Sequence, residues 1–130
     1  MRDQRIARLA MGKMAAAIVR DARDAACRRD SNAPSAERLV VWSGHDSTLF
    51  GLLSVFALEA PATWPPYAAQ MHVELLEECT GRERPRGWYV RFSLNGDALA
   101  CALGSESTGS SSSTIVALDD VVSAVIGGPE

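Results

Sequence analysis

Between Asp3 and Arg29 the apolar residues Ile6, Leu9, Ala10, Met14, Ala17 and Ile18 recur at helical spacing on one side, with arginines and aspartates elsewhere. Most residues of this stretch are good helix formers, so a first helix is predicted, its arginine run forming a solvated face. Asp30-Ser31-Asn32-Ala33-Pro34-Ser35 is rich in breakers and ends it. The pattern then changes. Leu39-Val40-Val41-Trp42 is continuously apolar, which predicts a parallel strand covered on both faces. Parallel neighbours arrive only through crossovers of about a dozen residues or more, and no second run of this kind follows. The other strands of such a sheet are therefore expected elsewhere. Leu49, Leu52, Leu53 and Phe56 form the stripe of a second helix bounded by Pro61, with Gly51 inside it to permit close packing.

After Pro61 the period shortens to two. Met71, Val73 and Leu75 alternate with His72 and Glu74; Trp88, Val90, Phe92 and Leu94 alternate with Tyr89, Arg91 and Ser93. The charged stretch Gly81-Arg82-Glu83-Arg84-Pro85-Arg86 joins the two strands, Met71 to Glu78 and Gly87 to Leu94, as an antiparallel hairpin. Glu74 and Arg91 are placed to pair across it. His72 reads as a surface histidine of the polar face. Between helix and hairpin, Trp64-Pro65-Pro66-Tyr67 reads as a rigid packed loop, with a polyproline ligand as the alternative. Gly104 to Ser113 is serine-rich and predicted to be a flexible loop. A last helix follows, with Asp119 and Asp120 in its first turn and Leu118, Val121, Val122 and Val125 on one stripe. Its valines leave a strand open for Thr114 to Leu118.

Composition adds limits. A chain of 130 residues is one domain at most, and its 47% apolar and 22% charged content is that of a globular protein. A net charge of −3 is too mild to argue for nucleic acid or an anionic membrane surface, no nucleic-acid partner is expected, and no apolar run reaches the length of a transmembrane segment. The start, Met1-Arg2-Asp3-Gln4-Arg5, reads as helix and not as a signal or transit peptide. Cys27, Cys79 and Cys101 cannot all pair within the chain, and their spacing is not that of a zinc site.

The candidate chemistry lies in Ser43-Gly44-His45-Asp46-Ser47-Thr48-Leu49, where the apolar run gives way to the second helix. Free amides at a helix start favour an anion such as phosphate. His45 adds a cation or a hydrogen-bond donor, and Asp46 a titratable acid. Half of a phosphoryl-transfer centre fits this pattern; an ordinary helix start, with Asp46 or Ser47 as its N-cap, fits it too.

The stretch resembles the His-Asp motif of the histidine acid phosphatases, branch 2 of the histidine phosphatase superfamily. The likeness runs on through Trp64-Pro65-Pro66-Tyr67-Ala68, Val73-Glu74-Leu75, and Trp88-Tyr89-Val90-Arg91-Phe92 followed by Asn95-Gly96, an ordered series from Arg38 to Leu99. More faintly it takes in the opening helix and the tail Val116 to Val122. The resemblance implies an α/β fold in which residues 1–130 form the C-terminal part of a phosphatase domain: helix, strand, helix, hairpin and helix at one edge of a larger mixed sheet. It implies acid phosphomonoester hydrolysis through a phosphohistidine intermediate. His45 would contact the phosphate and stabilise the transition state, and Asp46 would donate the proton to the departing alcohol. No metal or other cofactor is implied, because imidazoles and guanidinium groups supply the positive charge. Relatives are often secreted, lysosomal or extracellular and carry disulfides, so a partner cysteine outside this stretch is an open alternative.

The family's nucleophile, the histidine of an Arg-His-Gly motif, has no counterpart in the sequence, where His72 lies between Met71 and Val73. No Arg-x-Pro clamp is recognisable either. The chain is then expected to act with a missing N-terminal part of the domain as its partner and a phosphomonoester as its substrate, and to be inactive alone. The alternative is a truncated, inactive relative that binds phosphate-bearing ligands or a protein, and a purely structural domain is the third option.

Overall fold

Alternation in the two central segments builds a sheet around one strand. The computed structural model describes residues 4–31, 33–34, 39–79, 87–103 and 113–127. Strand β1 (Met71–Glu77) pairs antiparallel with β2 (Trp88–Leu94) in the register Val73↔Phe92, Glu74↔Arg91 and Leu75↔Val90. Apolar residues thus meet apolar residues on one face, and the two charges meet on the other. The Arg91 guanidinium grips Glu74 with two hydrogen bonds, 2.7 and 3.1 Å long. The joining stretch 81–86 lies outside the described residues. Two short strands complete the sheet. Asn95 and Gly96, both at positive φ (52° and 93°), form a two-residue turn that brings β3 (Asp97–Ala98) back along β2. β4 (Ile115–Ala117) also pairs antiparallel with β2, so β2 is the central strand.

Three helices supply the other layer. Helix α1 (Gln4–Asp30) packs against α2 (Asp46–Val55) and α3 (Leu118–Val125). The core joins Leu52, Leu53 and Phe56 of the α2 region to Val90, Phe92, Val116, Leu118 and Val121. Phe56 and Phe92, both fully buried, lie 4.9 Å apart between ring centroids. Beyond the loop, Trp88 donates its indole N–H to Asp30 at 3.0 Å and ties the end of α1 to the sheet. Helix α2 closes with Ala57 at φ 49°; the Ala57 and Leu58 amides donate to the carbonyls of Ser54 and Leu53 at 3.2 and 2.9 Å. This is a Schellman motif with alanine where glycine is usual.

Several expectations change. Leu39-Val40-Val41-Trp42 forms no strand and is not buried: Leu39 is 88% and Val41 80% exposed. A run of apolar residues signals a strand only where neighbours exist to pair with it, and among the described residues every sheet partner is antiparallel and elsewhere. The observed order is helix, helix, four strands, helix. The apolar face of α1 is also rotated from the predicted stripe. Ile6 and Leu9 are exposed, whereas Ala15, Val19 and Ala26 are buried, with Ala7, Met11, Met14, Ile18 and Ala22 packed beside them. Small residues let this helix approach its partners closely, and that outweighs the larger side chains near its start. Of the predicted breaker loop, Asp30 belongs to α1, while Asn32 and Ser35 lie outside the described residues. Of the serine-rich segment, residues 104–112 also lie outside them; Ser113 bridges Cys101 through its backbone. The open choice for Thr114 to Leu118 resolves as strand to Ala117 and helix from Leu118.

Candidate active site

Helix α2 begins where the exposed apolar run ends, and its N-cap is His45, in extended backbone geometry (φ −97°, ψ 169°). The expected N-cap, Asp46 or Ser47, is displaced by one position or more. Asp46 occupies the first helical position instead. The His45 carbonyl accepts hydrogen bonds from the Thr48 and Leu49 amides at 3.0 and 3.2 Å, and its own N–H donates to Thr48 Oγ1 at 3.2 Å. Gly44 makes room for that hydroxyl: a β-carbon there would stand 3.1 Å from Thr48 Cβ.

The expected supply of free amides is smaller than the sequence pattern implied. Thr48 and Leu49 are bonded to His45, and the Ser47 N–H donates to Asp46 Oδ1 at 2.6 Å. An anion at this helix start would therefore be held chiefly by the His45 side chain. His45, Asp46 and Ser47 are all exposed.

Asp46 is the most constrained of the three. While Oδ1 takes the Ser47 amide, Oδ2 accepts the indole N–H of Trp64 at 2.5 Å. The Trp64 ring lies stacked on Phe50, 4.8 Å between centroids and 25° between planes. Phe50 follows Asp46 by four residues, one helical turn, so a single indole spans both. These donors hold the Asp46 carboxyl below its ordinary range, the Trp64 N–H most, then the Ser47 amide, with the charge of His45 adding to them. Burial opposes the shift. Of the expected packed loop Trp64-Pro65-Pro66-Tyr67, Pro65 is buried and Trp64 is seated on Phe50, while Pro66 and Tyr67 are exposed.

Sequence reasoning placed Trp64 in a rigid loop and missed its bond to Asp46; the signal was an aromatic residue fixed in front of two prolines. His72 is exposed on β1 opposite Ser93, and the structure brings it to no other site residue. Cys27 and Cys79 are exposed free thiols, and Cys101 is buried, its thiol pushed up by burial and donating to the Phe56 carbonyl at 3.3 Å. Among the described residues no group of three or more His, Cys, Asp or Glu is gathered as a metal ion would require. No described helix is long and apolar enough to cross a membrane.

Comparison with protein families matches residues 3–95 to the model of the histidine phosphatase superfamily, branch 2. The chain belongs to that superfamily. The match covers α1, the His45-Asp46 corner, α2 and the β1–β2 hairpin, and it ends at the Asn95 turn. Strands β3 and β4 and helix α3, with the tail Val116 to Val122, lie beyond it. No curated protein and no solved structure matches the chain. Membership of the histidine phosphatase superfamily brings phosphatase chemistry on a phosphomonoester, and the mixed helix and antiparallel-sheet architecture agrees with part of its α/β fold.

Proposed function

We propose that this chain is the C-terminal part of an acid phosphatase domain and supplies its phosphate-contacting histidine, His45, and its proton donor, Asp46. The observation that carries the reading is their placement side by side, exposed, at the start of α2, with the Asp46 carboxyl oriented by two donors. In the complete domain an imidazole nitrogen, from an Arg-His-Gly motif contributed by the N-terminal part, attacks phosphorus. A P–N bond forms as the ester P–O bond breaks, and Asp46 gives its proton to the departing alkoxide. Water then attacks the phosphohistidine, returns a proton to Asp46 and releases inorganic phosphate. Charge on the transferred group is met by His45 and by arginines of the N-terminal part. Such chemistry is positioning and charge neutralisation around an in-line displacement.

The low range of Asp46 fits this role once substrate is present. A phosphate's negative charge beside a carboxyl favours its protonated form, so the bound ester raises the donor toward working acidity. It also means that an ionised Asp46 repels the substrate, which favours turnover in the acid range.

The test joins this segment to an Arg-His-Gly-bearing N-terminal part from a relative and measures phosphoenzyme formation. The complete domain should form an acid-labile phosphohistidine, and His45→Ala should slow its formation; the 130-residue chain alone should form none. A complete domain that turns over at the same rate with His45→Ala and Asp46→Asn would remove both roles. It would leave this segment as a phosphate-ligand or protein-binding module.

A further inference from the structure

We propose that Trp64 is a positioning residue for Asp46: its indole, seated on Phe50, donates to Oδ2 and fixes the carboxyl over the first turn of α2. The inference rests on the phosphatase reading for its catalytic meaning but not for its geometry.

Three observations carry it. First, Asp46 is held from two independent directions, by its own helix through the Ser47 amide at 2.6 Å and by a loop residue 18 positions later at 2.5 Å. Rotation of the carboxyl about Cβ–Cγ would break both bonds. Second, the donor is itself fixed. Trp64 is about half exposed, yet its ring is stacked on Phe50, and the next residue, Pro65, is buried. Third, an indole N–H donates and never accepts. Oδ2 on that side is always an acceptor, and a transferable proton must sit on a lone pair that neither Trp64 nor Ser47 occupies. A carboxylate is also the better acceptor, so the same bond favours the ionised form and makes Asp46 a stronger acid than a free aspartate. Desolvation opposes this lowering, and the charged neighbour that adds to it is His45.

The decisive variant is Trp64→Phe, which keeps a ring on Phe50 and removes only the N–H. In the 130-residue chain, carbon-detected NMR follows the Asp46 carboxyl through its titration while proton–nitrogen spectra follow the Trp64 indole. The indole resonance of the unaltered chain is expected to move with the same midpoint as the Asp46 carboxyl. That movement should vanish in Asp46→Asn, and the Asp46 midpoint should rise in Trp64→Phe. An indole signal that is flat through the carboxylate range overturns the proposal, and this measurement needs no variant to fold. An unchanged Asp46 midpoint in a folded Trp64→Phe overturns it equally. Neither readout depends on turnover, so both hold if Asp46 proves not to be a proton donor. In the complete domain Trp64→Phe should shift the basic limb of the pH–rate profile upward and slow alkyl esters by up to about 10²-fold, the cost of misplacing a reacting group by about 1 Å. If Asp46→Asn is impaired there while Trp64→Phe keeps the parental profile, the phosphatase reading stands and the positioning role fails.

Discussion

Gly51 lies so close to Met11 that a β-carbon at Gly51 would stand 2.6 Å from Met11 Cγ, well inside contact distance. Here α1 and α2 approach through a glycine, and two opposed effects follow from filling it. Alanine at a helix interior gains roughly 1 kcal/mol in propensity. Overpacking a fitted contact costs about 1–3 kcal/mol, and Cγ is not the free end of the methionine. Overpacking should win: Gly51→Ala is expected to destabilise the chain by about 1 kcal/mol. In a Met11→Ala background the same change should be neutral or stabilising. Denaturant titration of the four proteins checks this, and equal effects in both backgrounds would mean that the helices are free to move apart.

The end of α2 offers the opposite prediction. Ala57 holds a left-handed conformation (φ 49°) that L-residues with a β-carbon adopt only at a cost. Glycine removes that cost without touching the Leu58 amide, which donates to the Leu53 carbonyl at 2.9 Å. Because glycine also loosens the unfolded chain, the net gain from Ala57→Gly should be no more than about 1 kcal/mol. A melting temperature that falls would show that the alanine methyl makes a contact worth more than the strain.

These local effects mark what was legible in the sequence. The hairpin could be read to the residue pair, because alternation and charge together fix a register: registers two residues apart all keep Val73, Leu75, Val90 and Phe92 on one face, and the pairing of Glu74 with Arg91 selects the observed one. The Asn95-Gly96 turn carried an equally clear signal for the short strand β3, noticed only as part of a family pattern. Strands of two and three residues such as β3 and β4 have no period of their own. In the site, His45 and Asp46 were legible as types at a helix start, but their order at the cap was not, since a one-residue shift leaves the pattern unchanged. The Trp64–Asp46 bond joins residues that no helical or strand period relates.

Leu39-Val40-Val41-Trp42 was read for its apolar content, and content alone does not say what covers it. Together with Ile6 and Leu9 it leaves exposed apolar surface. The 130-residue chain is therefore expected to self-associate at micromolar concentration, visible by sedimentation velocity. Val41→Lys should reduce that association with little effect on helix content, because Val41 is 80% exposed. A monodisperse monomer with a sharp cooperative unfolding transition would refute this and favour an independent module.

Acid should weaken the hairpin. The Arg91 guanidinium holds the Glu74 carboxyl below its ordinary range, chiefly through their hydrogen bonds and then through charge. A carboxyl lowered in the folded state contributes stability that is fully present above its unfolded value, about 4.3, and lost as pH falls through the folded value. Wild type should accordingly lose stability relative to Glu74→Gln as pH drops below about 5, with no divergence between pH 6 and 8. Both side chains are partly exposed, so added salt should shrink the difference. Melts at matched ionic strength from pH 3 to 8 test the sign. A wild-type advantage over Glu74→Gln that stays constant, or grows, as pH falls through this range would mean that the ionised Glu74 is not stabilised by Arg91.

The role of Asp46 is open to a sharper test in the complete domain, through the leaving group. Asn is nearly isosteric with Asp, and its single carbonyl oxygen can accept from the Trp64 indole or from the Ser47 amide, though not from both as the carboxylate does. Since His45, not Asp46, is the N-cap, the bonds that its carbonyl and amide make at the helix start are untouched by the change. Asp46→Asn should therefore fold, with a small loss of stability that water largely replaces at so exposed a position. What Asn cannot do is give up a carboxyl proton. An alkyl phosphate expels a strongly basic alkoxide that must be protonated in the transition state, whereas an activated aryl phosphate expels a phenolate that leaves without help. The loss on alkyl esters should be on the order of 10²–10⁴-fold, the usual contribution of a general acid, and clearly smaller on activated aryl esters. His45→Ala should slow both classes alike, because charge on the transferred group develops whichever alcohol departs. The comparison belongs in the phosphorylation step, measured in a single turnover, so that a slow dephosphorylation does not mask it. If Asp46→Asn keeps parental rates on alkyl esters with chemistry rate-limiting, the proton comes from elsewhere, and the bonds to Trp64 and Ser47 serve only to pin the loop to the helix.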